Sequence, residues 1–412
     1  MNPKIFTSLI LIFIFDGFWG FFDLSAWYMY VCIFICFLCA LVSINNKNIS
    51  FFWGNKILWL FLLSIGLNFY FSYLNRHLPP IQVLRTPAVL DFFFFFSFFI
   101  FVSIRLSTKD IENILKISFF IFLTCFFLEY FVFFPLPVFK FTSATENEHR
   151  FRLVGQLVGF IGYFYYMNRL LMNRGKTFSN ICYVFGGLLF VILLGFRTHL
   201  ISIVIASMYL IFRIKGFSLK KIRYYLIIVS FGAAVIFSTS FGKEVINHII
   251  ERNETDVMTN DDYVRARQWV YFTNYHFIST TDYLFGSGFP TGNNAYSQNM
   301  SVFYKNEKEN LSSPTQWRDW GLLGLSWVMG LPLFLVLISF IAFMIFKKVP
   351  EDYLFISATY LELLLSGFST IEFYREGAFV FHGLILCLML QIVKSDKVAK
   401  LDKVILSNKM HL

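Results

Sequence analysis

Apolar runs close to membrane length recur along the chain from Ile5 to Val393, and short polar segments separate them. Runs such as 24–44 and 331–346 are almost continuously apolar, whereas the strands of a transmembrane barrel alternate over about ten residues. The pattern predicts an all-α polytopic integral membrane protein with about 12 transmembrane helices. The predicted spans are 5–22, 24–44, 57–74, 88–104, 116–136, 151–168, 181–196, 198–212, 224–241, 319–346, 353–371 and 377–393.

The composition fits a single membrane domain over residues 1–412, because 57% of the residues are hydrophobic and only 15% are charged. The first apolar run is not followed by a small-residue cleavage site, so it is predicted to be an uncleaved helix. All six cysteines lie in apolar spans, and no two histidines have the spacing of metal ligands on one helix face. Neither a disulfide framework nor a metal site is therefore expected.

The basic residues predict which side of the membrane each segment faces. With both termini in the cytoplasm, 21 of the 35 basic residues lie on the cytoplasmic side, as the positive-inside rule requires. That set holds 16 Lys and 5 Arg, whereas the outer set holds 4 Lys and 10 Arg. Arginine suits two-pronged recognition of phosphate, so the outer arginines are candidate ligands for an anion. The alternative is that they are interface anchors with aliphatic stems along the membrane.

The sequence GFRTHL, which starts at Gly195, lies between two apolar runs. The basic segments 169–176 and 213–223 flank these runs, and both are predicted to be cytoplasmic. An even number of crossings must separate them, so a single long helix is excluded. We therefore predict a tight hairpin whose tip carries Arg197 and His199 at the outer face.

The long polar segment 242–317 is predicted to be a loop on the outer face. Its middle, from Asp261 to Phe277, has the pattern of an amphipathic helix with an aromatic face. The sequence GSG at 286–288 lacks the strand and helix context of a nucleotide-binding turn, so a nucleotide-sugar donor is not indicated. Acidic residues also lie in the interior of predicted spans, at Asp16, Glu129 and Glu362, where interior pairing or packing polarity explains them as well as a relay would.

The order and sidedness of several motifs resemble those of the O-antigen polymerases and the related O-antigen ligases. The motifs are RFRLVG at 150–155, the arginine-centred hairpin GFRTHL, the long loop with RARQW at 265–269 and LFGSGF at 284–289, and WRDWGLLGL at 317–325. The resemblance covers about half of the chain, residues 150–346. It implies a GT-C-like membrane glycosyltransferase in the bacterial inner membrane, with 242–317 as a periplasmic loop.

The resemblance further implies polymerisation of undecaprenyl-pyrophosphate-linked oligosaccharide repeat units into O-antigen or a similar surface polysaccharide, a step of lipopolysaccharide biosynthesis. The implied partners are the lipid-linked oligosaccharide, inner-membrane lipids and a chain-length regulator protein. Neither a cofactor nor nucleic acid is implied. The energy would come from the glycosyl pyrophosphate bond of the donor.

Individual residues also receive roles from the resemblance. Arg197 would stabilise the departing pyrophosphate, and either Asp319 or Glu376 would activate the acceptor hydroxyl. The further candidates for binding the pyrophosphate are Arg152, Arg265, Arg267, Arg318 and Arg375.

One departure from the pattern separates polymerase from ligase. The ligases carry a His-Asn pair shortly before the closing glycine motif, and residues 310–321 contain no histidine. This favours a polymerase over a ligase and leaves the general base unassigned. A lipid-linked oligosaccharide flippase is the alternative from another class, although flippases usually have short outer loops and two similar halves.

Overall fold

The computed structural model describes residues 4–5, 7–9, 31, 34–35, 38, 56–78, 106–133, 155–194, 196–216, 264–289, 296, 317, 320–370, 372–374 and 378–410, which form helices and turns and contain no strand. The α-helices in chain order are α1 (Lys56–Arg76), α2 (Thr108–Leu128), α3 (Gln156–Leu171), α4 (Thr177–Leu194), α5 (Arg197–Lys215), α6 (Val264–Asn274), α7 (Thr280–Phe285), α8 (Gly321–Met329), α9 (Leu331–Phe346), α10 (Leu354–Ser366) and α11 (Ala378–Met410). A π-helical turn, Glu129–Phe133, extends α2, and a 3-10 turn, Glu351–Tyr353, precedes α10.

Within the described residues, three helical segments are long and apolar enough to cross a membrane. They are Thr108–Val132 with 25 residues, and Thr177–Leu194 and Thr198–Lys215 with 18 residues each. Shorter apolar helices are found at Leu331–Phe346 and Val380–Ser395. The chain is therefore a helical membrane protein, as its apolar runs predict. The predicted total of twelve crossings includes spans outside the described residues.

The start of α2 differs from the predicted span 116–136. The helix begins at Thr108, because Ser107 and Asp110 form a capping box: the Asp110 amide donates to Ser107 Oγ, and the Ser107 amide donates to Asp110 Oδ2. The first two turns of α2 are polar and precede its apolar part. Apolar length alone therefore placed the start of the helix too late.

Ring contacts show that α3 and α4 are antiparallel. Phe160 contacts Phe190 with ring centroids 5.8 Å apart, and Tyr166 stacks on Tyr183 at 4.3 Å. Residue numbers therefore rise along α3 where they fall along α4. Gly187 allows close approach between these two contacts, since a Cβ on it would meet Tyr163 at 3.0 Å.

Helix α5, in contrast, runs parallel to α3. Phe160 lies 4.8 Å from the His199 ring, and further along both helices Tyr163 Oη is 3.0 Å from Ser207 Oγ. Helices α4 and α5 thus run in opposite directions, which confirms the predicted hairpin. Its turn lies between Leu194 and Arg197.

Basic residues gather at the end of the bundle away from the hairpin turn. They are Arg169, Arg174, Lys176, Arg213, Lys215, Lys347 and Lys348. We call this the basic end, and we call the end at which α5 begins the tip end. Helix α10 starts at the basic end, where Tyr165 of α3 contacts Phe355 at 5.2 Å. The gathering of these residues at one end agrees with the sidedness predicted from charge.

The predicted span 319–346 is broken into α8 and α9 at Gly330. Gly330 has φ +86°, and Pro332 in the first turn of α9 has no N–H to donate to Val328 O. Carbonyl groups at the end of α8 are consequently left without helical partners. The prediction of one continuous helix was wrong here, because the apolar run hides the break.

Backbone and side chains from elsewhere bind the carbonyl groups at this break. The Ser287 amide donates to Trp327 O at 3.2 Å, and the Gly288 amide donates to Val328 O at 2.8 Å. Asn68 of α1 also donates to Val328 O, at 2.9 Å. The GSG sequence therefore packs directly on the broken helix, and a Cβ at Gly286 would collide with the Gly330 backbone.

Candidate functional site

A buried acid–base pair joins α5 to α10 one helical turn from the hairpin turn. His199 Nδ1 lies 2.8 Å from Glu362 Oε1, and both side chains are almost completely buried. Ser202, on the same face of α5, donates to the same carboxylate oxygen at 3.0 Å. One carboxylate of α10 therefore binds two side chains of the first turns of α5.

Aromatic rings enclose the His199 imidazole. The Phe160 ring lies 4.8 Å from it at an interplanar angle of 31°, and the Phe196 ring lies edge-on at 5.8 Å. Glu362 is 0% exposed, so this carboxylate is held away from water. Because a buried carboxylate is costly without partners, its hydrogen bonds to α5 decide whether the arrangement is stable.

A second buried carboxylate lies at the same end of the bundle. Glu372, in the turn after α10, is 2% exposed. With its amide nitrogen turned toward this carboxylate, Gln156 donates to the two oxygens of Glu372 at 2.9 and 3.2 Å. Gln156 precedes Phe160 by one helical turn of α3, so this contact lies on the face of α3 that also meets His199.

A buried histidine holds the turn that carries Glu372. His382 Nε2 donates to the Phe373 carbonyl at 2.8 Å, because a carbonyl oxygen can only accept. His382 Nδ1 lies 2.8 Å from the Tyr360 hydroxyl. These contacts connect α10, α11 and residues 372–374.

Several helices begin at the tip end. Helix α3 starts after Gly155, which has φ +90°, and α5 starts at Arg197. Helix α8 starts at Gly321, where the Leu322 amide donates to Gly367 O at the end of α10. Helices α4 and α10 end there as well, so the amides of helix starts and the carbonyl groups of helix ends lie together at the tip end.

A separate polar cluster docks the described part of the long loop onto α1. Arg76, the last residue of α1, pairs with Asp282 of α7 through two bonds, Nε–Oδ1 at 3.3 Å and Nη2–Oδ2 at 2.5 Å. Arg76 also donates to the His276 carbonyl and lies over the Tyr296 ring at 4.5 Å. The guanidinium thus has an ion pair, a backbone acceptor and an aromatic face.

The centre of this loop cluster is a chain of three buried side chains. His276 Nε2 lies 2.8 Å from Ser287 Oγ, which lies 2.7 Å from Tyr296 Oη. Burial, and secondly the neighbouring Arg76 charge, lower the pKa of His276 to about 3. Burial raises the pKa of Tyr296 well above its usual value. The cluster is therefore neutral near pH 7 except for the Arg76–Asp282 pair.

Tryptophan rings connect α6 to α8 beside this cluster. Trp269 contacts Trp320 at 5.2 Å and Trp327 at 6.0 Å, and Trp320 Nε1 donates to Gln268 Oε1 at 3.1 Å. Trp269 is 44% exposed, so part of its ring is open. Helix α6 confirms the helix predicted within Asp261–Phe277.

The predicted site residues are only partly within the described residues. Arg197 is the first residue of α5, at the hairpin turn, as expected. Arg265 and Arg267 lie in the first turn of α6. The other candidates lie outside the described residues: Arg152, Arg318, Asp319, Arg375 and Glu376.

Sequence reasoning missed the pairing of His199 with Glu362. Interior pairing is one of the explanations that the sequence leaves open for Glu362, and the structure supports it. The signal available was a histidine in the predicted hairpin tip and a glutamate in the middle of another predicted span. Nothing in the spacing of these two residues indicated that α5 and α10 are neighbours.

No protein-family model matches the chain, and no curated protein matches it.

Proposed function

We propose that the chain is a membrane glycosyltransferase that polymerises undecaprenyl-pyrophosphate-linked oligosaccharide repeat units. The observation that carries the proposal is that Arg197 begins α5 at the tip end, two residues before the buried His199–Glu362 pair. An arginine at the start of a helix combines a permanent charge with backbone amides, and this combination suits a pyrophosphate.

The reaction joins a growing chain to a new repeat unit. A hydroxyl oxygen of the acceptor sugar attacks the anomeric carbon of the donor, and a glycosidic bond forms as the bond to the pyrophosphate breaks. The pyrophosphate leaves on its lipid carrier with the negative charge that develops. Arg197 stabilises this charge, and Arg152, Arg265, Arg267, Arg318 and Arg375 are the further candidates for binding it.

The hydroxyl proton needs an acceptor, and Asp319 or Glu376 takes this role in the proposal. Each is a carboxylate next to a candidate arginine in the sequence, Arg318 or Arg375. Trp269 supports the proposal from the acceptor side, since an exposed aromatic ring can stack on a sugar. No nucleotide sugar is required.

The proposal includes the setting of the enzyme. We propose about twelve crossings in a GT-C-like arrangement, with both termini in the cytoplasm of a bacterium and the tip end at the periplasmic face of the inner membrane. The products are O-antigen or a similar surface polysaccharide. A chain-length regulator is the proposed protein partner.

The test is a lipopolysaccharide gel of a strain that lacks the gene and is complemented with variants. The wild-type gene should restore a ladder, and Arg197→Ala should leave the core with a single repeat unit at normal protein level. Arg197→Lys should restore at most about a tenth of the polymer, because an ammonium lacks the two-pronged geometry. Arg213→Ala, on the same helix at the basic end, is the matched control and should restore the ladder.

The carrier-linked glycans of the deletion strain separate the alternatives. Polymer that accumulates on undecaprenyl pyrophosphate would indicate a ligase. Single units trapped on the cytoplasmic side would indicate a flippase. A normal ladder with Arg197→Ala would refute the proposed role of this residue.

A further inference from the structure

We propose that His199 and Glu362 are positioning residues that fix the first turn of α5, and with it Arg197, for the reaction. The expected effect on polymer formation rests on the proposed function, whereas the contacts that hold the first turn of α5 do not depend on it. In this role His199 holds the first turn of α5 through its Nδ1 atom and does not accept a proton from the substrate.

The first step is that Glu362 holds α5 at two points. His199 and Ser202 are three residues apart, so both project from one face of α5, and both reach Glu362 Oε1, at 2.8 and 3.0 Å. Two bonds to one atom fix the rotation of the helix about its own axis. Arg197 lies two residues earlier in the same turn, so any rotation of this turn also moves Arg197.

The second step is that the anchor is stiff. Residues of α10 are buried on nearly every side, and α5 packs along α10 more extensively than along α4, its hairpin partner. Phe160 lies against the His199 ring, which limits rotation of the imidazole. The start of α5 has no side-chain cap at Phe196, so its orientation depends on tertiary contacts.

The third step concerns why an ionisable pair stands here. A buried carboxylate and imidazole stabilise a fold less than apolar residues of similar size would, because both lose their hydration. We attribute this pair to the single geometry that it enforces on the start of α5. If the first turn of α5 presents Arg197 to a pyrophosphate, it needs one fixed position, because misplacement by about 1 Å lowers the rate of catalysis.

The experiment uses side chains that each replace one nitrogen of the imidazole. The amide nitrogen of Asn stands near the position of Nδ1, and that of Gln near the position of Nε2. If His199 acts through Nδ1, His199→Asn should retain at least about a third of the polymer. His199→Gln, His199→Ala and Glu362→Ala should each lose at least tenfold, whereas Glu362→Gln, whose amide oxygen still accepts, should retain most of it.

Coupling is tested in the same series. The double variant His199→Ala with Glu362→Ala should make as much polymer as the less active of the two single variants, because both substitutions remove the same His199–Glu362 interaction. Losses that multiply would overturn the inference. Loss with His199→Asn equal to that with His199→Ala, at normal protein level, would also overturn it and would indicate chemistry at Nε2. Tyr353→Phe removes a 2.9 Å bond to Glu112 at the basic end and is the control for general damage.

Hydrogen exchange of the protein in lipid nanodiscs measures the positioning without reference to the reaction. The Leu200 amide makes the bond to Phe196 O at the start of α5, so His199→Ala and Glu362→Ala should speed exchange at residues 200–204 at least tenfold and leave 208–215 unchanged. Unchanged exchange at 200–204 would refute the positioning role. If exchange responds as expected while wild type restores no polymer, the proposed function fails and the positioning role stands.

Discussion

Arg76 and Asp282 are 206 residues apart in the sequence, and the structure joins them as a buried pair with two N–O contacts. The pair fastens α7, and through His276 the end of α6, to the last turn of α1. Because the carboxylate is 0% exposed and the guanidinium 10%, neither group can turn to water when its partner is removed.

We therefore expect Arg76→Ala to destabilise the loop cluster by about 3–5 kcal/mol, the usual cost of leaving one buried charge without its partner. Limited proteolysis in detergent should cut within 264–289 in the variant and spare this segment in wild type. Arg174→Ala, which removes the exposed partner of Asp352, is the control and should leave the digestion pattern unchanged. Protection of 264–289 in Arg76→Ala would show that the pair is not what holds the loop.

The loop cluster should lose stability as the pH falls. Burial and Arg76 lower the pKa of His276 to about 3, whereas an unfolded histidine titrates near 6.5. Between these values the unfolded state binds a proton that the folded state does not, so the stability rises with pH by up to about 1.4 kcal/mol per unit.

Hydrogen exchange at 270–289, measured from pH 6.5 to 4 and corrected for intrinsic rates, checks this slope. His276→Gln should flatten it, and His77→Asn, which replaces an exposed histidine at positive φ, should keep it. A slope of equal size in His276→Gln would assign the effect to another group.

Gly286 and Gly216 offer a matched pair of substitutions. Both have positive φ, +86° and +73°, but a Cβ at Gly286 would collide with Gly330, and a Cβ at Gly216 would meet open space. Gly216→Ala should cost about 1–3 kcal/mol of backbone strain, because φ +73° with ψ 162° is a conformation essentially confined to glycine. Gly286→Ala should cost clearly more, because the loop must move off the α8–α9 break. Equal shifts of the thermal midpoint in detergent would contradict this contact.

The helix pair α2 and α3 makes an analogous prediction in the bundle core. A Cβ at Gly162 would overlap the Phe119 ring, which is completely buried, whereas a Cβ at Gly66 of α1 would meet nothing. Gly162→Ala should destabilise the protein by about 1–3 kcal/mol through overpacking. Gly66→Ala should be neutral or stabilising by up to about 1 kcal/mol. Thermal unfolding in detergent distinguishes the two, and a neutral Gly162→Ala would mean that α2 and α3 separate without cost.

The hairpin of α4 and α5 was predictable because charge carries long-range information in a membrane protein. The basic segments on either side of it had to face the same side, and that requirement fixed two crossings. The contacts of Phe160 with Phe190 and with His199 confirm the result. The positive-inside rule therefore predicted the hairpin without any information on tertiary contacts.

The pairs His199–Glu362 and Arg76–Asp282 were not predictable in this way. Each joins helices that are far apart in the sequence, and no spacing rule relates such residues. The break at Gly330 left a visible signal, since Gly330 and Pro332 are both helix breakers. The signal was outweighed by the continuous apolar character of the run, which is equally consistent with one helix.

The α8–α9 break has a consequence for how the protein folds. The Trp327 and Val328 carbonyls at the break accept from the Ser287 and Gly288 amides, so a segment of the long loop completes the hydrogen bonding of the predicted span 319–346. In hydrocarbon a carbonyl without a donor is expensive. Departure of the loop would remove the backbone donor of Trp327 O and would leave Val328 O with the Asn68 amide alone. Span and loop should therefore melt in one cooperative transition, and truncating the loop to obtain a minimal membrane bundle should yield a protein that no longer inserts with α8 and α9 intact.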